Sequence, residues 1–286
     1  MPEQQRPWPA PAKLNRFLHI TGRRHDGMHE LQTVFQFVDA CDELYFTPRD
    51  DAEIRHLNPL AGVAPDSDLC VRAACRLQAE TGCRRGVDIR IDKILPLGGG
   101  LGGGSSDCAT TLVALNHLWA LDLLPDQLAA IGLELGADVP VFVHGRAAWA
   151  EGVGEQLQPI DIDEPWFLVI RPDCEVATGQ VFAAADLTRN TPPTTIRDFL
   201  RAPEDSRNDC EAVVRTLFAP VAEALDWLQQ FAPARLTGTG ACLFAPFPDR
   251  AAAAAVAAQL PSRWQGFVCR GLNESPLRAR LQQEVR

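Results

Sequence analysis

The sequence predicts an α+β fold in two domains, and three observations carry that expectation. The chain has 286 residues, more than the ~100–200 of an ordinary single domain and enough for two buried cores. Its clearest strand pattern, "VDIRIDKIL", sets Val87, Ile89 and Ile91 against Asp88, Arg90 and Asp92. That alternation belongs to a half-exposed strand in an antiparallel or mixed sheet. The character of the chain then changes around "LQPIDIDEP", so the boundary is placed near residue 158, dividing 1–158 from 159–286.

Taken in order, "KLNRFLHITG" predicts a strand ending at Gly22, and "RRHDG" a turn. "LQTVFQFV" and "DELYFTP" read as two further short strands. "DSDLCVRAACRLQAET" opens on capping residues, spaces Leu69, Ala73 and Leu77 along one face and stops before Gly82, which predicts an amphipathic helix. "CATTLVALNHLWAL" predicts a well-buried helix starting near 105–107. "PDQLAAIGLELG" predicts another, with Pro125 in its first turn and Gly136 as its stop. In the second half "WFLVIRP" is a strand, "RNTPPTT" a loop and 209–231 helical. "RLTGTGACLFAPF" reads as strand, glycine turn and strand, "DRAAAAAVAAQL" as a helix and "GFVCRGL" as a closing strand.

Composition narrows the partners. With 46% hydrophobic and 22% charged residues, the chain falls in the globular class. No apolar run approaches the ~20 residues of a membrane span, and "MPEQQRPWPAPAKLN" lacks the layout of a signal peptide. The expectation is a cytoplasmic protein, monomer or homodimer, without a membrane partner. A net charge of −10 argues against a nucleic-acid partner, whose phosphates demand a basic face. Nine cysteines without a C-x-x-C read as free thiols, with neither disulfides nor a metal site implied.

The segment "PLGGGLGGGSSD" runs from Pro96 to Asp107. A linker would be flanked by polar sequence, whereas this segment lies between a strand and an apolar helix. Gly98, Gly100 and Gly103 satisfy G-x-G-x-x-G, but the preceding strand alternates with charges, unlike the buried parallel strand of a dinucleotide fold. The P-loop pattern fails because no lysine precedes Ser105. What remains is a phosphate cradle of another type: glycines bring backbone N–H groups close to an anion, and the helix N-terminus adds partial positive charge. Ser105 and Ser106 can cap that helix, bind phosphate oxygens or sit near a magnesium ion. A phosphoryl-transfer enzyme also needs a cation and a base. Lys13, one of two lysines, and Asp138 in "LGADVPVFV" fit; a surface lysine and a helix cap are the plainer alternatives.

Together, "PAKLN", "PLGGGLGGGSSD", "LGADVPVF" and "LTGTGACLF", with "ITGRRHDGMHELQTVFQF", "EGVGE", "RNTP", "NDCE" and "NESPL", resemble the GHMP small-molecule kinases over 7–277. The resemblance implies an N-terminal ribosomal-protein-type α/β domain and a C-terminal ferredoxin-like domain, with the active site between them. It implies ATP as co-substrate, Mg²⁺ arriving with it, and no direct structural metal site. ATP would meet Pro96, Leu97, Gly98, Gly99, Gly100, Leu101, Gly102, Gly103, Gly104, Ser105, Ser106 and Asp107, with Asp68 and Leu69 near the adenine. Asp138 would take the acceptor hydroxyl's proton and Lys13 would hold that carboxylate and the developing charge. The alcohol would carry cytidine diphosphate, met by Asn15, Met28, His29, Val153, Thr178 and Phe182. Met28 stands where an aromatic residue is common in the family, and Asp68 and Asp107 stand where asparagine is. Another GHMP-type alcohol kinase, a dinucleotide-dependent oxidoreductase and a non-catalytic nucleotide-binding regulator are the competing readings.

Overall fold

The computed structural model describes residues 6–60 and 62–284. Its strands are β1 (Trp8–Arg23), β2 (His29–Arg49), β3 (Ile54–His56), β4 (Gly86–Asp92), β5 (Ala148–Glu151), β6 (Gln156–Pro159), β7 (Trp166–Arg171), β8 (Arg235–Leu236), β9 (Leu243–Phe247) and β10 (Gln265–Leu272). The helices are α1 (Leu69–Thr81), α2 (Gly103–Leu118), α3 (Pro125–Leu133), α4 (Val139–His144), α5 (Thr178–Ala183), α6 (Ile196–Arg201), α7 (Glu211–Leu217), α8 (Ala219–Leu228), α9 (Arg250–Ala257) and α10 (Pro276–Glu284).

The strands join in the order β3-β4-β2-β10-β7-β9-β8, with β1 on β2 and the β5–β6 hairpin also on β2. Every pairing is antiparallel except β3 with β4. β1 is buried on both faces from Ala10 to Leu18, because helices and the second half of the chain cover opposite sides of it. Its ladder with β2 slips between Pro11 and Lys13 and between Asn15 and Leu18; such irregularities re-aim side chains. Lys13 and Asn15, two residues apart, share a face.

One core packs β2 and β4 (Phe37, Phe46, Ile89) against α1, α2 and α4 (Leu77, Leu112, Phe142). A second packs β7 and β9 (Ile170, Leu243) against α7, α8 and α9. A third, with Leu14, Val38, Leu101, Phe167 and Phe244, joins the halves directly beneath the glycine segment.

Several expectations need correction. The two short strands after the turn are one continuous strand, β2, whose 21 residues serve β1, β4, β5 and β10 in succession. α2 begins at Gly103 rather than near 105–107, with Gly102 as its N-cap and no side-chain cap, so neither Ser105 nor Ser106 caps it. α3 ends at Leu133, short of Gly136, and the apolar run after Asp138 is helix α4. The helical segment 209–231 breaks at Phe218 (φ −129°, ψ 84°), where Pro220 opens α8; proline has no N–H to continue the previous helix. The chain closes on α10 rather than β10. Pro276 begins it, Ser275 Oγ accepts from the Leu277 N–H, and Leu277 enters the first core. The Ser-Pro of "NESPL" is the start signal for that helix.

Candidate active site

A cavity of about 720 Å³ opens between the two halves. It brings together eleven of the residues singled out from sequence: Lys13, Asn15, Met28, His29, Gly100, Gly102, Ser105, Asp138, Val153, Thr178 and Phe182. One end is charged and backbone-lined, the other ring-lined, an arrangement suited to an elongated polar ligand.

At the charged end Lys13 is buried, and its Nζ donates to Asn15 Oδ1 (2.6 Å) and the Gly100 carbonyl (3.0 Å). The Asp138 carboxylate lies 3.4 Å away and stays one-third exposed. The plainer alternatives for both therefore fail: Lys13 is not on the surface and Asp138 makes no side-chain cap for α4. Asn15 completes the support, its Nδ2 donating to Thr33 Oγ1 (2.9 Å) and its backbone N–H to Thr237 Oγ1 (3.1 Å). The amide expected to meet substrate thus also orients the lysine.

The glycine segment is held by the second half. The Cys242 N–H donates to the Gly99 carbonyl (3.1 Å), and Thr237 Oγ1 to that of Gly100 (3.3 Å). At Gly100 φ is +75° and an added Cβ would lie 2.2 Å from the Thr237 carbonyl oxygen, so only glycine fits. Behind it, α2 starts without a side-chain cap, which leaves the first-turn N–H groups and the positive end of the helix dipole available to an anion. Ser105 faces the cavity on that turn.

The remaining predicted residues lie outside the cavity lining. Leu97 and Gly98 are exposed, Gly99 and Leu101 are buried, and Pro96 lines a separate cavity of about 510 Å³. Gly103 and Gly104 open α2, and Leu69 Cδ1 sits 3.5 Å from where a Cβ on Gly104 would be. Asp68 caps α1 through the Cys70 and Val71 N–H groups (2.9 and 3.2 Å) and meets His56 Nδ1 at 2.5 Å. Burial works to raise its carboxyl, but those hydrogen bonds outweigh burial and hold it below the usual range. Ser106 Oγ is buried without a partner among the described residues.

Asp107 turns away from the cavity onto Lys93, the second lysine, which also binds Asp42, each at 2.6 Å. Asp42 Oδ1 in turn accepts the Ile94 and Leu95 N–H groups (2.6 and 2.7 Å). This buried triad ties β2, the chain ahead of the glycines and the N-terminal part of α2 into one unit. Burial lifts the Asp107 carboxyl to about 7, against the pull of Lys93 and with the help of Asp42. The scarcity of lysine singled out Lys13, and the separation of Lys93 from Asp42 in sequence hid the triad.

At the ring-lined end, Met28 is exposed, while His29 stacks on Phe182 with centroids 4.8 Å apart and planes at 24°. The ring that stacks on Phe182 is that of His29. Thr178 Oγ1 shares a hydrogen bond with Thr239 Oγ1 (2.9 Å), and the Val153 N–H donates to Glu155 Oε2 (2.6 Å). Arg189, the first residue of "RNTP" but given no site role from the sequence, donates from Nε to His29 Nε2 (3.1 Å).

Comparison with known proteins accords with this geometry. Residues 68–146 match the GHMP kinases N terminal domain and 185–266 the GHMP kinases C terminal domain. The 4-diphosphocytidyl-2-C-methyl-D-erythritol kinase of Nitrosococcus oceani is 60% identical over 94% of this chain and 96% of its own. That of Pseudomonas aeruginosa is 56% identical over 96% of each chain. A crystal structure of 4-(cytidine 5'-diphospho)-2C-methyl-D-erythritol kinase superposes with a TM-score of 0.82 at 30% identity, over 92% of this chain and 98% of that one. A mevalonate kinase structure, at 16% identity and a TM-score of 0.70, shares the fold. By sequence and by fold, the chain belongs to the GHMP kinases, among the 4-diphosphocytidyl-2-C-methyl-D-erythritol kinases.

Proposed function

We propose that the chain transfers the γ-phosphoryl group of ATP to the 2-hydroxyl of 4-(cytidine 5'-diphospho)-2-C-methyl-D-erythritol, in methylerythritol phosphate isoprenoid precursor biosynthesis. The observation that carries the reading is the Lys13–Asp138 pair, 3.4 Å apart, in the same cavity as the start of α2 and the His29–Phe182 rings. ATP phosphates lie along the glycine segment and the first turn of α2, where N–H groups receive them. Asp68 and Leu69 flank that turn on the adenine side.

The cytidine diphosphate end lies among Asn15, His29, Val153, Thr178 and Phe182. The acceptor hydroxyl then reaches Asp138, which takes its proton as the oxygen attacks in line. Lys13 holds the carboxylate in place and offsets charge on the transferring group, an effect strengthened where water is excluded. Among the described residues no cluster of three or more His, Cys, Asp or Glu side chains could cage a metal. The donor set suits Mg²⁺ carried by the nucleotide: the Ser105 hydroxyl and the Asp138 carboxylate are among the hard oxygens that line the cavity, and the ion would supply neutralisation of phosphate charge.

Among the described residues no helix is long and apolar enough to cross a membrane, and all nine cysteines are free. Both fit action in the reducing cytoplasm. We place the division between the halves near residue 158, with α10 returned to the first core. The test is ATP consumption by the purified protein with the cytidyl alcohol, mevalonate and homoserine. Turnover with the cytidyl alcohol alone is expected; turnover with another alcohol and not with it would overturn the reading.

A further inference from the structure

Arg189 lies in the loop after α5. Its Nη2 donates to the carbonyls of Phe182 (2.9 Å) and Ala184 (2.7 Å), and its Nη1 to that of Leu187 (3.0 Å). Three carbonyls hold the planar fork, so the direction of its fourth bond, from Nε to His29 Nε2 (3.1 Å), is set. A guanidinium carries only donors and keeps its charge. Nε2 of His29 must therefore be the acceptor.

A neutral imidazole has one donor and one acceptor nitrogen, so the proton resides on Nδ1. Burial, then the positive charges of Arg189 and Arg23, hold His29 below its ordinary range and keep the ring neutral. Stacking on Phe182 fixes the ring plane. Among the described residues the only hydrogen bond to the ring is the one at Nε2, which leaves the Nδ1 proton for a ligand in the cavity that His29 lines.

We propose that Arg189 is a positioning residue that fixes His29 as the Nδ1–H tautomer, so that the ring offers a donor and selects a pyrimidine with an acceptor at N3. The proposal rests on the cytidine diphosphate reading above. Cytosine has a bare N3, whereas uracil carries a proton there and would set donor against donor. Preference for cytidine over uridine then depends on a residue that touches neither base.

Two measurements test it. Side-chain ¹⁵N NMR of the free full-length protein needs no substrate. At neutral pH the His29 Nε2 should be unprotonated and Nδ1 protonated, with Nε2–H appearing in Arg189→Ala. A protonated Nε2 in the intact protein overturns the proposal whatever the substrate is.

The second measurement is kcat/KM for the cytidyl alcohol against its uridine analogue. Arg189→Ala and Arg189→Lys should each lower the cytidine preference about tenfold, the loss of one directed hydrogen bond. KM for ATP should stay within about twofold. An unchanged preference in folded variants refutes the role. His29→Asn, whose amide nitrogen replaces Nδ1, should keep more of the preference than His29→Gln, whose polar end falls at Nε2; the reverse order also refutes it. Turnover of neither substrate by the intact protein would defeat the cytidine reading and the selecting role with it, while the NMR result still decides the tautomer.

Discussion

At the scale of single residues, the site depends on contacts that admit one side chain each. Lys13 works as a compact charge because an asparagine oxygen, a backbone carbonyl and a carboxylate surround its Nζ. Gly100 works because nothing larger than hydrogen fits between it and Thr237. Gly100→Ala should lose about 1–3 kcal/mol of stability from strain at positive φ and from the clash, and KM for ATP should rise. Gly98→Ala, at φ +66° with nothing within 4 Å of the added carbon, should lose less. Urea unfolding of both variants checks this; equal stabilities would contradict the close approach. The glycines and both catalytic candidates were legible in the sequence because backbone demand and charge scarcity leave local marks. Arg189 opens "RNTP", but its role was not legible, because that role comes from carbonyls that meet only in three dimensions.

At the scale of elements, β4, α1 and α9 could be read from alternation, caps and periodicity, and each formed where expected. β2 could not, since a strand that pairs with four others changes its buried face along its length and breaks any single alternation. The unit that seats α2 is the Asp42–Lys93–Asp107 triad, whose pH response follows from Asp107. Its carboxyl rises from 3.8 to about 7 on folding. Between those values the folded state binds the extra proton, so this group's stabilisation is complete below about 4 and is lost as pH rises through about 7. Asp107→Asn should therefore flatten the fall in stability between pH 5 and pH 8, with Asp42 still pairing Lys93. Unfolding free energies of parent and variant at the two pH values decide; equal slopes would place the titration elsewhere.

At the scale of the whole molecule, the cavity exists because the halves are locked together. β10 bridges β2 and β7, the third core fills the seam, and α10 returns to the first core, where Arg280 lies over Trp8. Local patterns carried the α+β class, but the closing helix and the seam depend on contacts between distant segments. That packing lets the uncapped start of α2 on one half and an aromatic pocket lined by both halves face a common space. The central claim is that this space houses phosphoryl transfer with Asp138 as the base. The most direct measurement is the steady-state rate of Asp138→Asn with ATP and the cytidyl alcohol, beside its unfolding midpoint. With the fold intact and KM for ATP nearly unchanged, kcat should fall by about 10²–10⁴-fold; a kcat within roughly threefold of the parent would contradict it.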